Sequence, residues 1–361
     1  MKKANNILVT SPNWVGDVVM ATPAFRCIRE NFSNAKISLL LKPYVKGIVD
    51  GAPWFDNFIE YDPKAKHKRA GKTLSLIKKL RKEKYDFAFI FPNSISSALI
   101  IRASGANRRI GYARDNRSLL LTDAIQRPNE NGRFLPTYMG DYYLRLCSSI
   151  GCRVGSKKTE VFVTPESAKK VDELFTKYGI DDSKPKVLIN PGASYGSTKF
   201  WNVNGFAETA DLLRKKLDCH VLLATGPDEK DLAKEITEAA NGNIVNLSQN
   251  NVCLKLLKAL IKKCSLLITV DSGPRHLAVA LGKPVVTVMG PTDPRYSRTK
   301  QEVGKVLREP IDCAPCHLKT CPTDHRCMQQ IKPQRVAEAA LELLAKPKAR
   351  TKPRKRKAKV S

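Results

Sequence analysis

Several short apolar runs in this 361-residue chain each end in a cluster of side chains able to do chemistry. The run Ile7–Thr10 leads into Ser11-Pro12-Asn13-Trp14-Val15-Gly16-Asp17. Gly16 admits a close backbone approach, and Asp17 falls in the first turn of the following helical pattern, where the helix dipole favours the ionised carboxylate. Such a group is either a general base facing a cleft or a helix cap; the local residues alone favour the cap. A second run, Val187–Asn190, delivers Pro191-Gly192-Ala193-Ser194-Tyr195-Gly196-Ser197-Thr198-Lys199-Phe200-Trp201. Backbone N–H groups, the hydroxyls and Lys199 could cradle a diphosphate there, although the glycine-lysine-hydroxyl order of a P-loop is absent. His220–Thr225 delivers Gly226-Pro227-Asp228-Glu229, a place where an acid can accept hydrogen bonds from a ribose. Leu266–Val270 delivers Asp271-Ser272-Gly273-Pro274-Arg275-His276. Ordinary polar loops are the plain alternative for each, but three phosphate-friendly run ends in one half of the chain argue for a common ligand.

A different cluster has the spacing of metal ligands. Cys313-x-x-Cys316-His317 is followed by Cys321 and by His325-Arg326-Cys327. Four thiols so spaced suit a structural zinc, or less readily an iron–sulfur cluster; a buried or redox-labile loop is the alternative. Cys27, Cys147, Cys152, Cys219, Cys253 and Cys264 read as core or scattered thiols. With no export signal in view, structural disulfides are not expected.

The elements that must position these groups alternate along the chain. Apolar, β-rich runs at 7–10, 37–41, 58–61 and 87–91 are separated by helical patterns such as 74–84, and a polar connection follows Gly151. The alternation restarts with runs at 187–190, 220–224, 244–247, 266–270 and 284–289, interleaved with helical stretches at 204–215, 228–240 and 252–262; 334–345 is a last amphipathic helix. This implies parallel sheets built from βαβ units. The expected fold is α/β, two tandem Rossmann-like doubly wound domains facing a cleft. An N-terminal domain over 1–170 and a C-terminal domain over 171–345 are expected, with a disordered basic tail at 346–361. Ligands in such sheets bind at the carboxyl ends of strands.

Composition narrows the function classes. There are 63 Lys+Arg against 34 Asp+Glu, a formal charge of +29. Residues 346–361 carry nine of these cations and no acid, which leaves +20 on the rest. So basic a body recruits anionic partners: nucleic acid, acidic lipid or phosphorylated substrates. No apolar run approaches the ~18 residues that span a bilayer, and the N-terminus carries no signal-peptide core. A secreted or integral membrane protein is therefore not expected.

Taken in order, these motifs resemble those of the ADP-heptose:lipopolysaccharide heptosyltransferases, glycosyltransferase family 9, especially the heptosyltransferase II type. The matching residues are Trp14-Val15-Gly16-Asp17, Asn190-Pro191-Gly192-Ala193 with Lys199-Phe200-Trp201, Gly226-Pro227-Asp228-Glu229, Asp271-Ser272-Gly273 with His276, and Gly290-Pro291-Thr292-Asp293-Pro294. They stand across roughly residues 5–345. The resemblance implies a GT-B fold, acceptor bound by the N-terminal domain and nucleotide-sugar by the C-terminal one. The implied reaction is inverting transfer of heptose from ADP-L-glycero-D-manno-heptose to the lipid A-linked inner core of lipopolysaccharide. By motif, Asp17 matches the catalytic base and Lys199 the lysine on the donor phosphates. Ser194, Glu229, Asp271, Ser272, Gly273 and His276 match donor-site positions. Arg108, Arg109 and Arg114 are candidate contacts for acceptor anions, and Lys64, Lys66, Lys68, Arg69 and Lys72 for lipid headgroups. No obligatory cofactor is implied, because lysine and backbone groups can meet the phosphate charge. The expected location is cytoplasmic, peripheral on the inner membrane. A same-fold transferase using another nucleotide-sugar stays open, as does a non-catalytic nucleic-acid- or anion-binding protein on this fold; no helix-turn-helix, zinc-finger or RNA-binding signature supports the latter.

Overall fold

A computed structural model describes residues 4–62, 69–241 and 244–345. Lys64, Lys66, Lys68 and the 346–361 tail therefore lie outside the described residues, as does the side chain of Arg69.

The N-terminal half runs β1 (Asn6–Thr10), α1 (Val15–Asn31), β2 (Lys36–Leu41), α2 (Lys46–Val49), β3 (Asn57–Glu60), α3 (Arg69–Lys82), β4 (Phe87–Ile90), α4 (Ile95–Ala103), β5 (Arg108–Tyr112) and β6 (Asp123–Ile125). A small hairpin of β7 (Asn129–Glu130) and β8 (Arg133–Phe134) follows, then α5 (Met139–Ser148) and α6 (Pro165–Lys177). The C-terminal half comprises β9 (Lys186–Asn190), α7 (Val203–Lys216), β10 (His220–Leu223), α8 (Lys230–Ala239), β11 (Ile244–Asn246), α9 (Leu254–Lys263), β12 (Leu266–Val270), α10 (Gly273–Ala280), β13 (Val285–Val288), β14 (Gly304–Leu307), α11 (Arg326–Gln329) and α12 (Pro333–Ala345).

Continuous apolar runs such as Val187-Leu188-Ile189 make strands buried on both faces, as parallel sheets covered by helices require. Two six-stranded sheets result, ordered β3-β2-β1-β4-β5-β6 and β11-β10-β9-β12-β13-β14, with every pairing within them parallel. In each, the order reverses beside the first strand, between β1 and β4 and between β9 and β12. That reversal opens the crevice where ligands of doubly wound sheets bind. Asp17, Lys199 and Asp271 all follow strands at these two positions.

The halves meet through helices. α1 packs on α10, and α9 packs on both α2 and α6. Lys258 of α9 is fully buried and donates from Nζ to the carbonyls of Ile48 and Asp50, 3.1 Å each, closing the C-terminal end of α2. Burial pulls its pKa down to about 8. Gln301 clasps the connection between the halves, accepting from Thr159 N–H at 2.8 Å and donating to Thr159 O at 2.9 Å. α6 begins at Pro165 with Thr164 as its cap, so residue 170 lies inside a helix that packs on α9.

Candidate active site between the two sheets

Asp17 is the third residue of α1, and no side chain caps that helix; the preceding residue is Trp14. The carboxylate engages another element instead. The Tyr143 O–H, from α5, donates to Asp17 Oδ1 at 3.0 Å. Burial pushes the Asp17 pKa up to about 6, with the Tyr143 hydrogen bond and the Lys199 charge pulling the other way. Tyr143 is itself buried, its ring 5.4 Å from that of Phe91, and burial beside Asp17 keeps its phenol protonated well above the usual range. A desolvated carboxylate titrating near 6 is largely ionised at neutral pH yet basic enough to take a proton.

Lys199 closes a short turn (Ser197–Lys199) after β9. Its ammonium donates to Asp271 Oδ2 at 2.9 Å and to the Asp271 carbonyl at 2.6 Å. Asp271 follows β12 and is almost fully buried. Arg275 donates to its Oδ1 at 2.8 Å and the Thr292 hydroxyl to its Oδ2 at 2.6 Å. Burial alone would raise this carboxyl, but Lys199 and Arg275 outweigh it and hold the pKa far below the usual range. Arg275 is anchored in turn by Glu302, through Nε at 3.1 Å and the second terminal nitrogen at 2.8 Å. Both Asp271 oxygens are thus occupied, and the group fixes Lys199 in place. Lys199 Nζ also sits 5.2 Å from the centre of the Tyr195 ring, and Tyr195 lies 6.4 Å from Trp14 of the other half.

The two halves touch at glycines. A Cβ on Gly16 would stand 2.7 Å from the His276 ring, and one on Gly273 would stand 2.4 Å from Val15. Only residues without a side chain let the start of α10 reach the start of α1. His276 is buried, and burial with the neighbouring Arg275 charge pulls its pKa down to about 3, so the imidazole is neutral. Glu229 lies over Gly192 and accepts from the Gly226 N–H at 3.2 Å. Ser272 precedes α10, its hydroxyl 3.4 Å from that of Thr269, and Ser194 is an exposed loop residue.

Two candidate acceptor contacts are not brought to the cleft. Arg108 and Arg109 stand at the amino end of β5, opposite the strand ends that carry Asp17. Arg108 pairs with Asp123 and lies over the Phe87 ring at 4.9 Å. Arg109 donates to the carbonyls of Leu120 and Ala106, at 2.9 and 2.8 Å. Both guanidiniums are consumed by the fold. Arg114, beyond the carboxyl end of β5, faces a cavity at the junction of the halves.

All ten cysteines are free. Cys313, Cys316, Cys321 and Cys327 do not form a metal-binding group: among the described residues no three His, Cys, Asp or Glu side chains do. The segment carrying them is instead tied to the loop that holds Lys199. The Tyr195 hydroxyl donates to His317 O at 2.7 Å, Thr198 donates to Leu318 O at 2.6 Å, and the His325 ring meets Thr198 O at 2.6 Å.

Tyr143, Arg275, Thr292 and Glu302 join the site without having been assigned a role from sequence; Arg275 and Thr292 stood within quoted motifs, Tyr143 and Glu302 did not. Arg275 had a signal, lying one helical turn beyond Asp271. Tyr143 had none, because it meets Asp17 only through the packing of α5 on α1.

The chain matches the family described as glycosyltransferase family 9 (heptosyltransferase) over residues 73–326. Lipooligosaccharide heptosyltransferase 2 of Campylobacter jejuni is 29% identical over 347 residues, covering 94% of this chain and 98% of that protein. The structure of Escherichia coli ADP-heptose lipopolysaccharide heptosyltransferase II superposes with a TM-score of 0.75 at 25% identity, covering 94% of this chain and 98% of that one. A glycosyltransferase family 9 structure from Veillonella parvula shares the fold with a TM-score of 0.80 at 21% identity, covering 94% and 97%.

Proposed function

The chain belongs to glycosyltransferase family 9, and on that premise we propose that its cleft moves heptose from ADP-heptose to the inner core of lipopolysaccharide, with Asp17 as general base. The observation that carries the reading is the meeting of two unlike groups across the cleft: a carboxylate of pKa about 6 within electrostatic reach of Lys199. One is fitted to take a proton, the other to receive negative charge.

The chemistry follows from these placements. Tyr143 occupies Oδ1 of Asp17, leaving Oδ2 to accept the proton of an acceptor hydroxyl as its oxygen attacks the anomeric carbon. The bond from that carbon to the β-phosphate oxygen breaks, and ADP departs with the electron pair. Lys199 and the N-terminus of α10 would stabilise the departing diphosphate. Attack from the face opposite the leaving group inverts the anomeric centre. The transition state resembles an oxocarbenium ion, as in glycoside hydrolysis. In this reading Asp271 would act by holding Lys199, Glu229 would meet the nucleoside, and Ser194, Ser272 and His276 follow the same two strands. Lysine and backbone groups suffice for the phosphate charge, so no metal is assigned a step.

A lipid-linked acceptor implies work at a membrane surface. No described helix is long and apolar enough to cross a membrane, but the α3–α4 side of the first sheet suits peripheral contact. Leu74, Ile95, Leu99 and Leu119 are exposed there, the last at 88%, beside the exposed cations Lys72, Lys78, Lys79 and Arg102. Apolar side chains ringed by basic ones fit an anionic bilayer surface. The test of the catalytic reading is transfer from ADP-heptose to an inner-core acceptor, followed by mass, by the wild type and Asp17→Asn.

A further inference from the structure

We propose that Cys316 and Cys321 form a reversible disulfide that shifts the loop carrying Lys199, which makes the cysteine-rich segment a thiol-redox site. The pairing stands apart from the transferase reading; only its effect on ADP rests on that reading.

The segment acts as a strap against the Lys199 loop. Between Cys316 and Cys321 stand three carbonyls on which that loop depends. His317 O accepts from the Tyr195 hydroxyl at 2.7 Å, and Leu318 O from the Thr198 hydroxyl at 2.6 Å. Lys319 O accepts from the Thr198 N–H at 3.3 Å and from the Ser197 hydroxyl at 3.4 Å. The fit is close, since a Cβ on Gly196 would collide with the Lys319 carbonyl. On its other side the strap donates from the His317 N–H to Pro291 O at 2.8 Å. The next residue, Thr292, holds Asp271. The strap therefore touches both loops that set the Lys199–Asp271 pair.

The thiols around the strap are free and gathered: Cys313, Cys316 and Cys321 all lie within electrostatic reach of Cys327. Cys313 is exposed, Cys316 and Cys321 are half-buried, and Cys327 is buried under Gly290, where an added Cβ would stand 2.7 Å from its Sγ. Accessible thiols exchange and buried ones are inert. Cys321 Sγ meets the Thr323 hydroxyl at 3.5 Å, so a bond to Cys316 must draw the two ends of the strap together and shift the carbonyls between them. A low-molecular-weight disulfide supplies the oxidant. The Cys321 thiolate attacks one of its sulfurs, the S–S bond breaks, and the other half leaves as a thiolate. The Cys316 thiolate then attacks the Cys321 sulfur of the mixed disulfide and expels the second small thiolate. Two protein thiols are oxidised, one small disulfide is reduced, and the two protons pass through solvent to the released thiolates. A bond within the Cys-x-x-Cys pair, Cys313–Cys316, would instead close a ring outside the strap and leave its carbonyls in place.

Three measurements on the full chain test this. In the first, the protein is equilibrated with oxidised and reduced glutathione, its remaining thiols are alkylated, and the unreduced digest is read by mass. A Cys316–Cys321 cross-link that dithiothreitol reverses is expected. No disulfide in the segment, a Cys313–Cys316 bond in its place, or a zinc or iron ion held by these thiols in the purified protein would overturn the proposal. The second is amide exchange at Thr198, whose N–H bonds to Lys319 O. Exchange should quicken on oxidation in the wild type and stay constant in Cys316→Ser and Cys321→Ser; a rate unmoved by the cross-link refutes the shift of the loop. The third is calorimetric titration with ADP. The oxidised wild type should bind at least fivefold more weakly than the reduced form, with no such difference in either serine variant. Equal affinity in both forms of the wild type would refute the effect on the donor site. If the exchange changes but neither form binds ADP, the donor reading falls and the thiol switch stands.

Discussion

The residue proposed as general base is Asp17, and its environment makes its pH behaviour predictable. The carboxylate must be ionised to act, so kcat/KM should fall as pH drops through about 6, the value to which burial raises it. Tyr143→Phe removes a hydrogen bond that lowers that value. The acidic limb of the pH–rate profile should therefore move upward in this variant. An unmoved limb would show that another group sets it. At the opposite wall, Lys199→Ala should cost about 10²–10³ in kcat, the scale of a lost transition-state charge contact. Asp271→Asn strands Lys199 and Arg275 in a buried site, and breaking such a pair costs about 3–5 kcal/mol. Because the Asp271 pKa is depressed in the folded protein, its stabilisation is present above the ordinary carboxylate range of about 4 and is lost as pH falls. Thermal denaturation against pH should show that slope in the wild type and lose it in Asp271→Asn.

Between elements, the decisive contact is α1 against α10. Gly273→Ala would drive a Cβ into Val15, an overpacking that costs roughly 1–3 kcal/mol and pushes Lys199 and Asp17 apart. We expect a lower melting temperature and a kcat reduced at least tenfold, with both recovered in part by adding Val15→Ala. Additive losses in the double variant would show that the two residues do not meet. Elements are also where the sequence was most readable. Long apolar runs disclosed β1, β2, β4, β9, β10, β12 and β13, because doubly covered parallel strands leave no polar alternation to blur them. The chemistry at their ends was visible for the same reason: loops at strand ends interrupt apolar runs abruptly. The edge strands β3 and β11 were read too, at 58–61 and 244–247, but those at the opposite edges, β6 and β14, were not. β6 is three residues, and β14, Gly-Lys-Val-Leu, has lysine and glycine within it. The roles of Arg108 and Arg109 could not be read either, since a basic dipeptide looks alike at either end of a strand, and only the sheet's direction puts it away from the cleft.

At the scale of the whole molecule, the proposed membrane contact rests on charge and the α3–α4 face. Sedimentation with vesicles containing phosphatidylglycerol should carry the protein down, weakening as salt rises. Leu99→Glu with Leu119→Glu should reduce sedimentation severalfold while leaving transfer to a soluble, lipid-free acceptor unchanged. Loss of sedimentation on deleting 346–361, with the leucine variant unaffected, would move the contact to the basic tail. Fold and family were legible from the order of five motifs along the chain. The tyrosine on Asp17 and the buried ion chain behind Lys199 were not, because each joins residues more than twenty positions apart.

The most direct measurement is to incubate the wild type and Asp17→Asn with ADP-heptose and an inner-core lipid acceptor and to weigh the product. The account predicts one added heptose with the wild type and a yield lower by about 10²–10⁴ in the variant, which still binds ADP. Equal product from both would remove Asp17 as the base, and no product from a folded wild type would contradict the heptosyl-transfer reading.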